Sequence, residues 1–144
     1  MSYEIRVLRL NETPDSPRIE TPEETVRYWR EVIEKMPWYI SDREVCVAIA
    51  VNGRLRATGH SLVSIGTLNE TLVHPRDVFR AAVALNAYGV VLVHNHPSGD
   101  AAPSGNDHLM TKRIAECGTI LNIKLLDSVI VGDGWFSFKE SGLL

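Results

Sequence analysis

Two mainly apolar runs constrain the fold of this sequence more than any other feature. The first, EVCVAIAV, extends from Glu44 to Val51, and the second, VVLVHNH, extends from Val90 to His96. Short apolar runs rich in β-branched residues predict strands covered on both faces, as in a sheet that lies between helices. The segments around them are therefore expected to supply helices.

Three such segments have helical patterns. The predicted helices cover residues 21–36, 75–87 and 104–116, the last ending near Gly118. Thr21 is the expected N-cap of the first helix, Glu24 completes a capping box and Pro37 ends the helix. Helical spacing predicts that the second helix turns one apolar set toward the sheet: Val78, Phe79, Ala82, Val83 and Leu85.

The remaining strand signals complete the expected architecture. Asn52-Gly53 predicts a two-residue hairpin turn, after which RLRATGHSLV (54–63) returns as a second strand. The segments ILNIKLLDSVIVG (120–132) and GWFSF (134–138) supply one or two closing strands. Because strands and helices alternate from residue 44 onward, the predicted class is α/β, with a mixed β-sheet flanked by helices.

The chain length of 144 residues fits one domain. We assign residues 21–144 to this domain and residues 1–20 to an N-terminal extension that contains a strand-like piece, EIRVLRL (4–10). No signal peptide or apolar span long enough for a bilayer is evident, so the expected location is cytoplasmic and no membrane partner is expected. The separated Cys46 and Cys117 are expected to be reduced thiols with a packing role.

The charge balance argues against direct nucleic-acid binding. The formal net charge is −3, and the lysines and arginines are spread along the chain. Capture of phosphates requires a basic face.

His94 and His96 are the strongest signal for chemistry. Two residues apart on a strand, their side chains leave the same face, with Cα atoms roughly 6–7 Å apart. The loop that follows brings in Asp107, the one carboxylate at the start of the third helix. Two imidazoles and a carboxylate leave a fourth position for water, which is the arrangement of catalytic zinc.

Hydrolysis at such a site also needs a proton acceptor that does not bind the metal. Glu44, the lone acid at the mouth of an apolar strand, is the candidate general base. Ser104 is the candidate hydrogen-bond donor to an oxyanion. Each residue also has an ordinary interpretation, since Ser104 and Asp107 form a capping arrangement and Glu44 fits a solvated strand end. The combination favours the metal site, and His60, His74 and His108 are left outside it.

The stretch HNHPSGDAAPSGND (94–107) fits H-x-H-x7-S-x2-D, the signature of the JAMM metalloproteases, also called MPN+ or JAB. GTLNETLVHPRDVF (66–79), NAYGVVLVHNHPSGD (86–100) and LLDSVIVG (125–132) resemble successive segments of bacterial RadC-like proteins. The resemblance covers roughly 21–144. It implies a three-layer α/β sandwich similar to cytidine deaminases.

The same resemblance implies zinc bound by His94, His96 and Asp107, with Glu44 as the general base and Ser104 as the oxyanion helper. Relatives in other kingdoms cleave isopeptide bonds to ubiquitin-like proteins. One position departs from the family pattern, since Ser128 stands where the family commonly has His. Longer RadC-like proteins carry an N-terminal helix-hairpin-helix module suited to DNA, and this sequence is expected to be a short form without it.

Two functional hypotheses follow. The first is a zinc-dependent metallohydrolase, a peptidase or isopeptidase whose substrate is a peptide or protein. The second is a non-catalytic binding module associated with DNA repair or recombination partners. A zinc deaminase on the related fold is excluded, because that class needs HxE and PCxxC motifs, and neither is present.

Overall fold

A five-stranded mixed sheet forms the centre of the protein in the computed structural model, which describes residues 1–2, 16–66 and 73–144. Its strands, in chain order, are β1 (Val45–Val51), β2 (Ala57–Ile65), β3 (Gly89–Asn95), β4 (Lys124–Val131) and β5 (Trp135–Ser137). The spatial order is β2-β1-β3-β4-β5. Only β3 and β4 run parallel, so the predicted mixed sheet is confirmed.

Helices cover both faces of this sheet. They are α1 (Pro22–Glu31), α2 (Pro75–Ala84) and α3 (Gly105–Leu121), with a short 3-10 helix over Ile33–Lys35. On one face, Trp29 of α1 packs in a core with alternate residues of β1 and β3. On the other face, Phe79 of α2 and Ile114 of α3 pack against Leu92 and its neighbours. The predicted three-layer α/β sandwich is therefore confirmed.

The first helix begins as predicted but ends early. The Oγ1 atom of Thr21 accepts a hydrogen bond from Glu24 N, and Glu24 Oε2 accepts one from Thr21 N. The α-helix stops at Glu31, and a 3-10 turn carries the chain to Met36. Met36 is extended, with ψ near 143°, as expected for a residue that precedes proline.

The prediction of a two-residue hairpin turn was wrong. Three residues, 53–55, separate Asn52 from Arg56, and Leu55 takes a left-handed conformation with φ of 58°. Asn52 Oδ1 accepts hydrogen bonds from the backbone N–H groups of Arg54 and Arg56. This side chain closes a longer turn, so β2 begins at Ala57 instead of Arg54.

Two details of the helices on the second face also differ from expectation. Val83 is 59% exposed instead of buried, whereas Val78, Phe79 and Ala82 are buried as predicted. Helix α3 continues past Gly118 to Leu121, and Asn122 ends it with φ of 57°. Gly118 lies inside this helix. A Cβ at this position would be 2.5 Å from Ile123 O, which explains the glycine.

The predicted N-terminal extension is partly covered by the described residues. The strand-like segment 4–10 lies outside them. Within the predicted N-terminal extension, Ile19 is buried in the core, and its N–H donates to Leu55 O. None of the helices in the described ranges has the length and apolar character needed to cross a bilayer.

Candidate metal centre

The site lies where β3 ends in the middle of the sheet. His94 is the second-last residue of β3 and His96 follows the strand, so both side chains leave the face that α3 covers. Asp107 is the third residue of α3. Glu44 directly precedes β1, which pairs with β3 through Cys46 and His94. The sheet therefore brings together residues that are 50 or more positions apart.

The three predicted ligands have the spacing of a tetrahedral site. The Nε2 atoms of His94 and His96 lie 3.3 Å apart. Asp107 places Oδ1 3.1 Å from His94 Nε2 and Oδ2 3.1 Å from His96 Nε2. Zinc–nitrogen bonds of about 2.0–2.1 Å at tetrahedral angles put ligand atoms about 3.3 Å apart. The separation of the two Nε2 atoms thus matches a tetrahedral ion, and the Asp107 carboxylate presents one oxygen to each imidazole.

Glu44 faces these three residues from the β1 side. Its Oε1 is 3.6 Å from the Nε2 atoms of both His94 and His96. These distances exceed those among the other three residues. Glu44 therefore belongs to the same cluster as the three predicted ligands. Among the described residues, Glu44, His94, His96 and Asp107 form the one group of side chains with the spacing of a metal site.

The predicted capping arrangement at α3 is present and orients Asp107. Ser104 is the N-cap, and its backbone N–H donates to Asp107 Oδ2 at 2.8 Å. In return, Asp107 N donates to Ser104 Oγ at 3.1 Å. The capping box fixes the carboxylate at the helix start, and the Ser104 hydroxyl keeps its own hydrogen for another acceptor.

The loop after β3 orients His96. Its Nδ1 lies 2.8 Å from the carbonyl oxygen of Asp100. A carbonyl can only accept, so Nδ1 carries the hydrogen in the neutral ring and the Nε2 lone pair is directed at the cluster. His94 differs, since its Nδ1 is buried without a hydrogen-bond partner in the described part of the chain. Packing holds that ring, which is 1% exposed.

Two glycines allow this loop to approach the end of β4. Gly99 has φ of 90°, in the left-handed region that favours glycine. A Cβ on Gly132 would lie 2.3 Å from Gly99 O. Backbone hydrogen bonds from His96 N to Val131 O and from Asp133 N to Gly99 O close the contact.

Comparison with known proteins adds to this geometry. A family model described as the RadC-like JAB domain matches residues 19–143. The chain belongs to this family. The family assignment made from the sequence is therefore confirmed.

Individual relatives agree with the family match. A UPF0758 protein of Trichlorobacter lovleyi is 52% identical over 103 residues, which are 71% of this chain and 45% of the relative. One from Thermotoga maritima is 47% identical over 72% of this chain and 47% of its own length. Another, from Rubrobacter xylanophilus, is 42% identical over 96% of this chain and 59% of its own. The chain thus spans about half the length of these relatives.

The electrostatics of the RadC-like site favour a bound cation. Burial opposes ionisation of the Asp107 carboxyl, but hydrogen bonds with His94, His96 and Ser104 N hold its pKa well below the usual range. The hydrogen bond to Asp107 raises the pKa of His96, against the opposite effect of burial. A buried, ionised carboxylate between two imidazoles attracts either protons or a metal cation.

Ser128, the position that departs from the family pattern, lies behind the site. It is fully buried on β4, and its Oγ accepts a hydrogen bond of 3.1 Å from Thr111 Oγ1. Thr111 is one helical turn after Asp107 on α3. Ser128 therefore contacts the helix that carries Asp107, through Thr111, which is not one of the four clustered residues.

The other histidines lie away from the cluster, as predicted. His74 is the N-cap residue of α2, and His108 packs edge-on against Phe138. His60 was expected to be an exposed strand residue, but it is half-buried, and its Nδ1 lies 2.7 Å from Tyr28 Oη. Burial raises the pKa of Tyr28 to about 12 and lowers that of His60.

The two cysteines are free thiols, as expected. Cys46 is fully buried beneath the site, and burial, with Glu44 and Asp107 nearby, raises its pKa. Cys117 is partly buried. The high pKa of Cys46 keeps it in the neutral thiol form, which fits the packing role predicted from the sequence.

Proposed function

We propose that this domain is a zinc-dependent metallohydrolase that acts as a peptidase or isopeptidase. The observation that carries the proposal is the convergence of two imidazoles and the Asp107 carboxylate at 3.1–3.3 Å, with a second carboxylate, Glu44, 3.6 Å from both Nε2 atoms. A second carboxylate beside the three predicted ligands supplies a group for the proton transfer that hydrolysis requires. The family match supports the same class.

The choice of zinc rests on the donor set. Two imidazole nitrogens and one carboxylate oxygen suit zinc, and three protein ligands are the usual number in a catalytic site. Magnesium and calcium prefer oxygen ligands in larger numbers. The 3.3 Å separation of the two Nε2 atoms matches tetrahedral coordination, in contrast to the square-planar geometry typical of Cu²⁺.

The side chains of the site divide the chemistry between them. Zinc, when bound, supplies Lewis acidity, which lowers the pKa of water toward about 7. Glu44 would accept the proton of the attacking water and deliver it to the departing amine nitrogen. The Ser104 hydroxyl would donate a hydrogen bond to the oxygen that becomes negative as the carbonyl is attacked. Peptide and isopeptide bonds both present the carbonyl and amine that these roles require.

Paired variants test the proposal. His96→Ala should remove stoichiometric zinc, measured by metal analysis after gentle purification. Glu44→Gln should keep zinc and lower peptide-bond hydrolysis by about 100-fold or more, since general bases contribute about that much. Glu31→Gln, an exposed carboxylate on α1, serves as the matched control and should change neither. A wild-type protein that neither retains nor rebinds zinc would refute the proposal.

A proteome-wide comparison would identify the substrate. Cells expressing the wild-type protein and cells expressing Glu44→Gln differ only in turnover under this proposal. New peptide N-termini or released lysine side chains that depend on Glu44 would distinguish a peptidase from an isopeptidase. The Glu31→Gln strain should match the wild type.

A further inference from the structure

Asn95, the residue between the two histidines, connects the metal-binding strand to Glu44. The antiparallel ladder between β1 and β3 ends at the pair Cys46 and His94. Beyond that pair, the backbone that follows β3 forms a hydrogen bond with β4, in which His96 N donates to Val131 O. The start of β1 is therefore left without a backbone partner on its β3 side.

The side chain of Asn95 takes the place of that partner. Its Oδ1 accepts a hydrogen bond of 2.7 Å from Val45 N, and its Nδ2 donates one of 2.9 Å to Arg43 O. Val45 N–H can only donate and Arg43 C=O can only accept, so these two groups fix the orientation of the amide. One amide reproduces the pair of hydrogen bonds that a strand residue would make.

The two bonded groups flank Glu44 directly. On the opposite edge of the same segment, Gly66 N donates to Glu44 O at 2.8 Å. Glu44 is thus held from both sides, by Asn95 across the gap to β3 and by Gly66 after β2. The peptide units on either side of the proposed base have fixed positions relative to the strand that carries His94.

Asn95 does this from the face of the sheet opposite to the metal cluster. Side chains alternate along β3, so Asn95 leaves the face of Val93, away from His94 and His96. It is 6% exposed. Its side-chain hydrogen bonds go to the Glu44 segment instead of to a metal ligand, which separates its role from support of the ligands.

We propose that Asn95 is a positioning residue that holds Glu44 in register with the metal site. This inference rests on the proposed function, because it assigns Asn95 a role through the base. A residue that orients a metal ligand typically changes metal affinity by about 10–100-fold when mutated. A residue that positions only the base should leave affinity nearly unchanged and alter the surroundings of the water position.

Cobalt substitution separates these effects without a substrate. Co²⁺ would be titrated into the metal-free wild type, Asn95→Ala, Asn95→Asp, Glu44→Gln and the double variant Asn95→Ala/Glu44→Gln. Asn95→Asp keeps the shape and the acceptor for Val45 N but places an oxygen against Arg43 O. It therefore preserves the test if Asn95→Ala does not fold. Affinity and the visible absorption bands of Co²⁺ are the readouts.

Asn52→Ala is the matched control. Asn52 also makes two hydrogen bonds to backbone, but at the other end of β1, in the exposed hairpin turn. It should bind Co²⁺ with the spectrum of the wild type.

The proposal predicts Co²⁺ affinity within about threefold of the wild type for Asn95→Ala and Asn95→Asp, outside the range of ligand-orienting residues. Their visible spectra should move toward that of Glu44→Gln by about half of the difference or more. In the Glu44→Gln background, Asn95→Ala should cause no further change, because two residues that act as one unit are not additive.

Four other results would overturn the inference. A tenfold or greater loss of Co²⁺ affinity would make Asn95 a support for the ligands. A wild-type spectrum in both Asn95 variants, with a changed spectrum in Glu44→Gln, would refute the positioning role alone. Absence of Co²⁺ binding by the wild type, or a wild-type spectrum in Glu44→Gln, would refute the proposed function and this inference with it.

Discussion

Helices α1 and α3 begin with the same local motif, yet only one of them contributes to the metal centre. At α1, Thr21 and Glu24 exchange two hydrogen bonds, and at α3, Ser104 and Asp107 do the same. Glu24 is partly exposed, and its carboxylate accepts a further bond from Glu20 N. Asp107 is 7% exposed and faces two histidines.

The difference lies in what stands opposite each helix start. Glu24 faces no histidine in the described structure, and its carboxylate accepts hydrogen bonds from the backbone at the helix start. Asp107 lies over the end of β3, where His94 and His96 leave the sheet. The capping box therefore fixes the position of the acid at the helix start. Whether that acid could also bind a metal depends on the residues of the strand opposite it. The same Asp107 side chain forms the cap with Ser104 and lies against the two histidines.

Removal of the charge of each capping acid should distinguish the two helix starts most clearly. Asp107→Asn keeps an oxygen for Ser104 N but loses the anionic ligand, so zinc affinity should fall by about 100-fold or more. Glu24→Gln makes the equivalent change at α1 and should leave zinc affinity unchanged. Competition with a chelator of known affinity measures both. An equal effect of the two changes would contradict the assignment of Asp107.

Crowding the loop that leads into α3 should have the next largest effect. Gly132→Ala would place a Cβ 2.3 Å from Gly99 O, so the free energy of unfolding should fall by about 1–3 kcal/mol. Gly134→Ala, two residues later, has open space around its Cβ and is the matched control. Urea unfolding compares them. Equal stability of the two variants would show that the close approach to Gly99 does not hold the loop.

Removing the capping hydroxyls should have similar effects on stability at both helices. Thr21→Ala and Ser104→Ala should each lower the free energy of unfolding by about 1 kcal/mol, since each loses an N-cap acceptor. Only Ser104→Ala should also slow hydrolysis, with zinc still bound. Calorimetry and metal analysis provide the measurements. A loss of zinc in Ser104→Ala would make the serine part of the metal site instead of an oxyanion donor.

The smallest predicted effect is the pH dependence of the metal-free protein. The pKa of His96 is raised above 6.5, so its contribution is present below that pH and is lost as the pH rises through the folded-state value. The pKa of Asp107 is lowered from 3.8, so its contribution is present above that pH and is lost as the pH falls through the folded-state value. The pair therefore stabilises most between these two pH values.

His96→Ala should accordingly destabilise the metal-free protein more at pH 5.5 than at pH 8.5. Urea unfolding in the presence of a chelator measures the difference. Glu24→Gln should show no such contrast between the two pH values, because no histidine pairs with that carboxylate in the described structure. A larger destabilisation by His96→Ala at pH 8.5 than at pH 5.5 would contradict the raised pKa of His96.

The sequence was sufficient to predict the strands, the helix starts and the four residues of the cluster, because short-range patterns indicate them. Strand alternation places His94 and His96 on one face, and a capping box places Asp107 at a helix start. Glu44 was found as an acid at the mouth of an apolar strand. Each of these signals depends on neighbours within a few positions.

The features that the sequence did not predict depend on contacts between distant segments. Asn95 meets Arg43 and Val45 across about fifty residues, although a polar residue on a covered face of a strand signals a buried partner. Gly132 is needed only because Gly99 comes close to it. The hairpin turn is longer than predicted because the Asn52 side chain accepts two backbone hydrogen bonds. Val83 is exposed because its side of α2 is left uncovered.

X-ray absorption spectroscopy of the zinc-loaded protein tests the central claim most directly. Two histidine nitrogens and two oxygens are expected at about 2.0–2.1 Å. Glu44→Gln should leave this first shell unchanged, because Glu44 faces the water position without binding the metal. A missing oxygen ligand in Glu44→Gln, a sulfur ligand from Cys46, or failure to bind one zinc per chain would contradict the account.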